Sequence, residues 1–172
     1  SVGDYKFFLP APELRRYFMS YYFFEIQTPD GSVLDDLLYP EWAGARFMLE
    51  GSIPASFVPD PPAPVAKASL TGPTTRAAHI ACQYARLAGI GILPLGWHKF
   101  IGEDASQYAN GSFNLEAELA FALFDTIWQD IKDLRFHAEI AAVIDRHLLA
   151  ALKPPTDRDK EIERVHDALA DP

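Results

Sequence analysis

The side chains that could ligate a metal or attack a substrate are few in this chain, and they are scattered. The histidines, His79, His98, His137, His147 and His166, include no His-x-His pair and no cluster on one strand-like run. A metal enzyme on a β-barrel holds its ion with two or three inward His and a carboxylate, so here His79 and His98 would have to meet through tertiary structure. No metal site is expected. The single cysteine, Cys82, stands in the apolar run HIACQYA, the setting of a buried inert thiol, and no Ser occupies a Gly-x-Ser-x-Gly elbow. Gly89-x-Gly91 resembles the start of a dinucleotide loop but has Pro94 where the third glycine must be. No catalytic residue and no cofactor is expected, and the chain is read as a binding protein rather than an enzyme.

Binding chemistry is better supplied. Tyr21, Tyr22, Phe23, Phe24, Tyr39, Trp42, Phe47, Phe57 and Trp97 all fall in the first part of the chain, where a β structure could enclose an apolar cavity. Strand alternation sends Tyr22 and Phe24 one way and Tyr21 and Phe23 the other, so one pair lines the interior. Arg46 and Arg76 each interrupt an apolar run. Either guanidinium can clamp a ligand carboxylate, or it can satisfy carbonyls at a corner and pair with Asp35, Asp36 or Glu41. Trp42 and Trp97 divide between corner packing and cavity wall. The candidate ligand-binding residues are Tyr22, Phe24, Trp42, Arg46, Arg76 and Trp97.

Positioning them requires strands. Residues 17–27, YFMSYYFFEIQ, are aromatic and β-branched, and Thr28-Pro29-Asp30-Gly31 supplies a turn. Further strands are predicted at 45–49, 53–58, 66–70, 79–84 and 87–93, separated by Gly51, the proline cluster 59–64 and Gly72-Pro73. The proline cluster is either a polyproline ligand or a stiff connection between strands. Short strands at this spacing favour a sandwich or barrel over a parallel sheet.

From Phe113 the period changes. Leu115, Leu119, Ala122, Leu123, Ile127, Ile131 and Leu134 recur at helical spacing, with Asn114 as N-cap and Glu116 and Glu118 in the first turn. Phe121, Phe124 and Trp128 form a second apolar stripe, which is either core or a dimerisation face. A second helix is predicted over 136–152, stopped by Pro154-Pro155, and the pair would form a hairpin. A short polar helix capped by Asp157 follows over 157–169, with Ile162, Val165 and Leu169 as a thin seam. Alone it is marginal and must borrow a surface.

The whole chain has 172 residues, enough to bury a core of its own. A net charge of -9 argues against holding duplex DNA, whose readers present basic patches. One cysteine excludes an intramolecular disulfide and fits a reducing cytoplasm. No run approaches the ~20 apolar residues of a membrane span, so no membrane partner is expected.

Three motifs carry a family resemblance. Pro40-Glu41-Trp42-Ala43, Gly72-Pro73-Thr74-Thr75-Arg76 and Gly89-Ile90-Gly91-Ile92-Leu93-Pro94-Leu95-Gly96-Trp97, with the passage from Gly102 to Ile127, resemble the amino-terminal domain of one subset of AraC-type transcription regulators. The likeness runs from about Pro12 to the end. It implies an α+β fold, a cupin-like β-barrel or sandwich followed by a C-terminal helical hairpin. The implied organisation is a ligand-sensing domain over 1–112, a dimerisation hairpin over 113–153, and a linker with the first helix of a DNA-binding region over 154–172. The expected function is ligand sensing and dimerisation in a transcription regulator whose helix-turn-helix units are mostly absent from this chain. Its partners would be an apolar or aromatic small-molecule effector and a second copy, with DNA reached only through the missing region. Phe121, Phe124 and Trp128 would sit at the dimer face. The alternatives are a stand-alone cupin-like binding or enzyme domain, or a scaffold whose interior is filled by its own aromatics.

Overall fold

The computed structural model describes residues 3–38, 42–154 and 156–170. Tyr39, Pro40, Glu41 and Pro155, to which sequence expectations attached, lie outside them. Strands β1 (Gly3–Phe8), β2 (Phe18–Gln27), β8 (Tyr84–Ile92), β4 (Gly44–Gly51), β6 (Ala68–Thr71) and β9 (Ser112–Asn114) form one sheet, in that order. Strands β3 (Leu34–Leu38), β7 (Ala78–Cys82) and β5 (Ala55–Phe57) form a second. Every pairing is antiparallel. The fold is therefore mixed α+β with two sheets, and among the described residues they do not close into a barrel: β1 and β9 are free edges of one sheet, β3 and β5 of the other.

The larger sheet has two different faces, as strand alternation requires. Phe18, Tyr21 and Phe23 of β2, Ala45 and Phe47 of β4, Leu70 of β6, and Ala88, Ile90 and Ile92 of β8 are buried in the main core. That face is covered by helices α2 (Ala122–Ile131) and α3 (His137–Ala151), which also pack on each other. The ring of Phe47 stacks on Trp128, and that of Phe23 on His137.

Two helical expectations need correction. The helix predicted from Phe113 begins only at Ala122, because Ser112, Phe113 and Asn114 pair with Thr71, Leu70 and Ser69 as an edge strand. Two 3-10 turns follow, separated by the extended Glu118, and Asn114 caps the first by accepting from the Glu116 N–H at 3.0 Å. The stripe Phe121–Phe124–Trp128 is core rather than a dimer face. Phe121 and Phe124 are fully buried within the chain, and Trp128, partly buried, is turned onto Phe47. A helix laid on a sheet and flanked by a second helix covers both of its stripes, which periodicity alone cannot reveal.

Helix α4 (Asp157–Ala170) buries none of its residues. Its cap is Thr156, one residue before the predicted Asp157. Thr156 Oγ1 accepts from the Asp159 N–H at 3.1 Å, and Asp159 Oδ2 accepts from the Thr156 N–H at 2.9 Å, a reciprocal capping box. The helix borrows its surface from α1 (Pro94–Phe100) and the segment before β2. Asp159 accepts from Lys99 at 3.2 Å and contacts His98 at 2.8 Å, Tyr17 donates to Glu163, and Arg16 to Asp167. No helix is long and apolar enough to cross a membrane among the described residues.

Candidate functional site

The other face of the larger sheet, together with the smaller sheet and the loops at their ends, encloses a cavity of about 860 Å³. That volume lies within the usual range for small-molecule sites. The pairing register lays the cavity face out in three rungs. The first crosses Tyr5, Phe24, Leu87 and Met48. The second crosses Phe7, Tyr22, Gly89, Arg46 and Ser69. The third crosses Gly91, Gly44, Thr71 and Ser112. Along the strands the wall therefore runs from a rung of mainly apolar side chains, with Lys67 beside Met48, through Arg46 and Ser69 to small and hydroxylic residues. Ala55, Ala78 and Ile80 bring the smaller sheet over it, with Ile53 from the segment before β5.

Tyr22 owes its position to Gly89. A β-carbon there would come within 2.0 Å of the Tyr22 Cζ, so only glycine lets the ring lie flat on the sheet instead of filling the cavity. Behind it, on the helix side, Tyr21 is buried and donates to Asp145 of α3 at 2.6 Å, and burial pushes its phenol well above its ordinary range.

One end of the cavity is closed by the loop 72–77. Gly72 sits where a β-carbon would reach within 2.0 Å of the Tyr108 carbonyl oxygen, and its N–H donates to Gly111. Asn110 then holds the loop. Its Oδ1 accepts from the N–H groups of Thr75 at 2.9 Å and Arg76 at 3.1 Å, its Nδ2 donates to Thr75 Oγ1, and its own N–H donates to Pro73. Asn110 is a positioning residue that the sequence reading passed over. The dipeptide Asn110-Gly111, a turn signal, was the feature that marked it.

Of the candidate ligand-binding residues, Tyr22, Phe24, Trp42, Arg46 and Arg76 line this cavity together. Trp97 does not: it is 3% exposed in the main core, packs against Tyr108 and donates to the Glu103 carbonyl. Trp42, 55% exposed, stands at the opening. Tyr21 and Phe23 face the helices, so the alternation resolves with the Tyr22 and Phe24 pair inside. Asp35 contacts His79, and Asp36 accepts from Leu37, so neither is bonded to an arginine. Arg46 has a contact within the chain, whereas the Arg76 guanidinium has no ion-pair partner among the described residues.

The groups with potential for other chemistry lie apart. His79 is on β7 and His98 on α1 against α4, each with its own aspartate. No group of three His, Cys, Asp or Glu able to hold a metal ion occurs among the described residues. Cys82 is 3% exposed, its Sγ donates to the Ser52 carbonyl, and burial pushes its thiol up. The proline cluster is an exposed connection between β5 and β6, tied back by the Ala55 and Ala63 bridge.

No protein-family model matches the chain, and no curated protein sequence matches it. Among solved structures, that of the AraC-like transcriptional activator CuxR is similar over 98% of this chain and 71% of its own, with 11% identity and a TM-score of 0.34. A likeness that loose carries no argument about family or function.

Proposed function

We propose that this chain is the effector-sensing portion of an AraC-type transcription regulator and binds its effector in the cavity between the two sheets, a cupin-like arrangement. One observation carries the proposal: each of the three motifs on which the family resemblance rests contributes at least one residue to the lining of that cavity. Trp42, exposed, stands at its opening with the buried Ala43 in the lining beside it, Pro73 to Arg76 close one end, and Gly91 lies in its floor. Motifs distant in sequence that converge on one apolar cavity with a few polar groups are what a small-molecule site requires.

The route from cavity to output is short. Strand β8 lines the cavity at Leu87 and Gly91, ends at Ile92 and leads within two residues into α1. His98 and Lys99 of α1 hold Asp159 of α4, the helix the family resemblance assigns to the start of the DNA-binding region. An effector that shifts β8 would bias how α4 docks, a population shift between two arrangements of one contact. Dimerisation belongs to the proposal on other residues than first expected. Among the described residues, the large apolar side chains left exposed over 113–153 are Leu119, Phe136 and Leu149.

The test is a titration of apolar and aromatic compounds followed by tryptophan emission, with Trp42→Phe as the control for signals from the cavity. For a compound that binds, hydrogen exchange of α4 and the mass by light scattering are then compared with the free chain. A change in either supports the regulator reading. Binding that leaves both unaltered would favour a stand-alone binding domain.

A further inference from the structure

We infer that the cavity takes an amphipathic carboxylate, with its head at Ser69, Thr71 and Arg46 and an aromatic or aliphatic tail along Phe24, Leu87 and Met48. The inference rests on the cavity being the ligand site, as proposed above.

The charge balance points this way first. The chain has 24 acidic and 15 basic residues. Yet the charged side chains among the described residues lining the cavity are Arg46, Lys67 and Arg76. In an acidic protein, cations gathered on a concave wall concentrate anions and repel amines.

The hydroxyls point the same way independently. Ser69 is 2% exposed and Thr71 4%, both line the cavity, and neither side-chain oxygen makes a hydrogen bond to a described residue. Both hydroxyls are presented to the cavity rather than sealed in the core, and each can donate to an acceptor from a ligand or water. Ser69 is directly opposite Arg46 in the register, and Thr71 is one rung further along. Arg46 already touches the chain, but a guanidinium has five donors and can serve a second acceptor. Two hydroxyl donors beside a guanidinium match the acceptor oxygens of one carboxylate.

The gradient along the strands sets the rest of the ligand. The rung of Met48, Leu87 and Phe24 offers a tail apolar side chains at its centre, with Tyr5 at one edge and Lys67, whose carbonyl accepts from the Met48 N–H, at the other.

Calorimetry separates the possibilities with 4-phenylbutyrate, the neutral 4-phenyl-1-butanol and the cationic 4-phenylbutylamine, followed by the straight-chain acids from hexanoate to dodecanoate. The acid is expected to bind about ten-fold tighter than the alcohol, the size of a charge-assisted hydrogen bond. The amine should bind more weakly than either. Paired Ser69→Ala and Thr71→Val substitutions should abolish the acid's advantage while leaving the alcohol's affinity in place. Leu87→Trp should move the optimum among the straight-chain acids to shorter chains. Because each result is a ratio within one folded variant, checked by its thermal melt, a general loss of stability does not imitate it. If acid and alcohol bind equally and Leu87→Trp weakens both, the carboxylate inference is overturned and the cavity survives as the ligand site. If no member of either series binds, both are overturned.

Discussion

The ring of Tyr22 lies flat across the α-carbon of Gly89 on the neighbouring strand, where a β-carbon would come within 2.0 Å of its Cζ. Gly89→Ala should therefore push the ring into the cavity, at a cost of about 1–3 kcal/mol for the forced rearrangement. Chemical denaturation would show a lower midpoint with an unchanged slope. Adding Tyr22→Ala should remove the clash, making the pair non-additive. Additive losses would mean that the ring does not depend on the glycine.

Asn110 holds the loop that carries Thr75 and Arg76 through both ends of its amide. Asn110→Asp keeps the acceptor and loses the donor, while Asn110→Ala loses both. Each net hydrogen bond contributes roughly 0.5–1.5 kcal/mol, so Ala should be the more damaging of the two. Hydrogen exchange in the segment 73–77 should rise in that order, with the helices little affected.

Phe121 is fully buried beside Tyr108, at a ring-centroid distance of 5.6 Å. Phe121→Ala should cost about 3–5 kcal/mol through lost burial and the cavity left behind. Phe121→Glu should unfold the chain rather than split a dimer. Light scattering combined with circular dichroism distinguishes these: a folded monomer from Phe121→Glu would contradict the core assignment.

Asp159 is held well below the usual carboxylate range, first by the Thr156 N–H and then by His98, the Thr156 hydroxyl and Lys99, against an opposing effect of burial. A carboxylate depressed in the folded state stabilises above its unfolded value of about 3.9, and that contribution fades as pH falls below it. The docking of α4 should thus persist from neutral pH to about 4 and weaken progressively in stronger acid. Amide shifts of residues 157–170 followed by NMR should show this. Asp159→Asn should weaken docking already at neutral pH and flatten the acid-side dependence.

Local chemistry made much of this molecule legible. The run from Phe18 to Gln27 had the aromatic and β-branched content of a strand, and α3 had uninterrupted helical spacing, so both emerged within a residue or so of expectation. The alternation of Tyr21, Tyr22, Phe23 and Phe24 determined that one pair would face a different environment from the other. It could not say which. That depended on α2 and α3 covering the Tyr21 and Phe23 face, a choice made by packing between segments about a hundred residues apart in sequence. Strands β1, β3 and β9 escaped notice because edge strands have at most one buried face and need little apolar content; their evidence is pairing, which is non-local. For the same reason Trp42 and Trp97, alike as residues beside turns, parted company. Trp97 went into the core when α1 folded onto the sheet, and Trp42 was left at the cavity opening. Sequence determined which side chains were available to line a site, and only the register of β2, β8, β4 and β6 decided which of them share a rung.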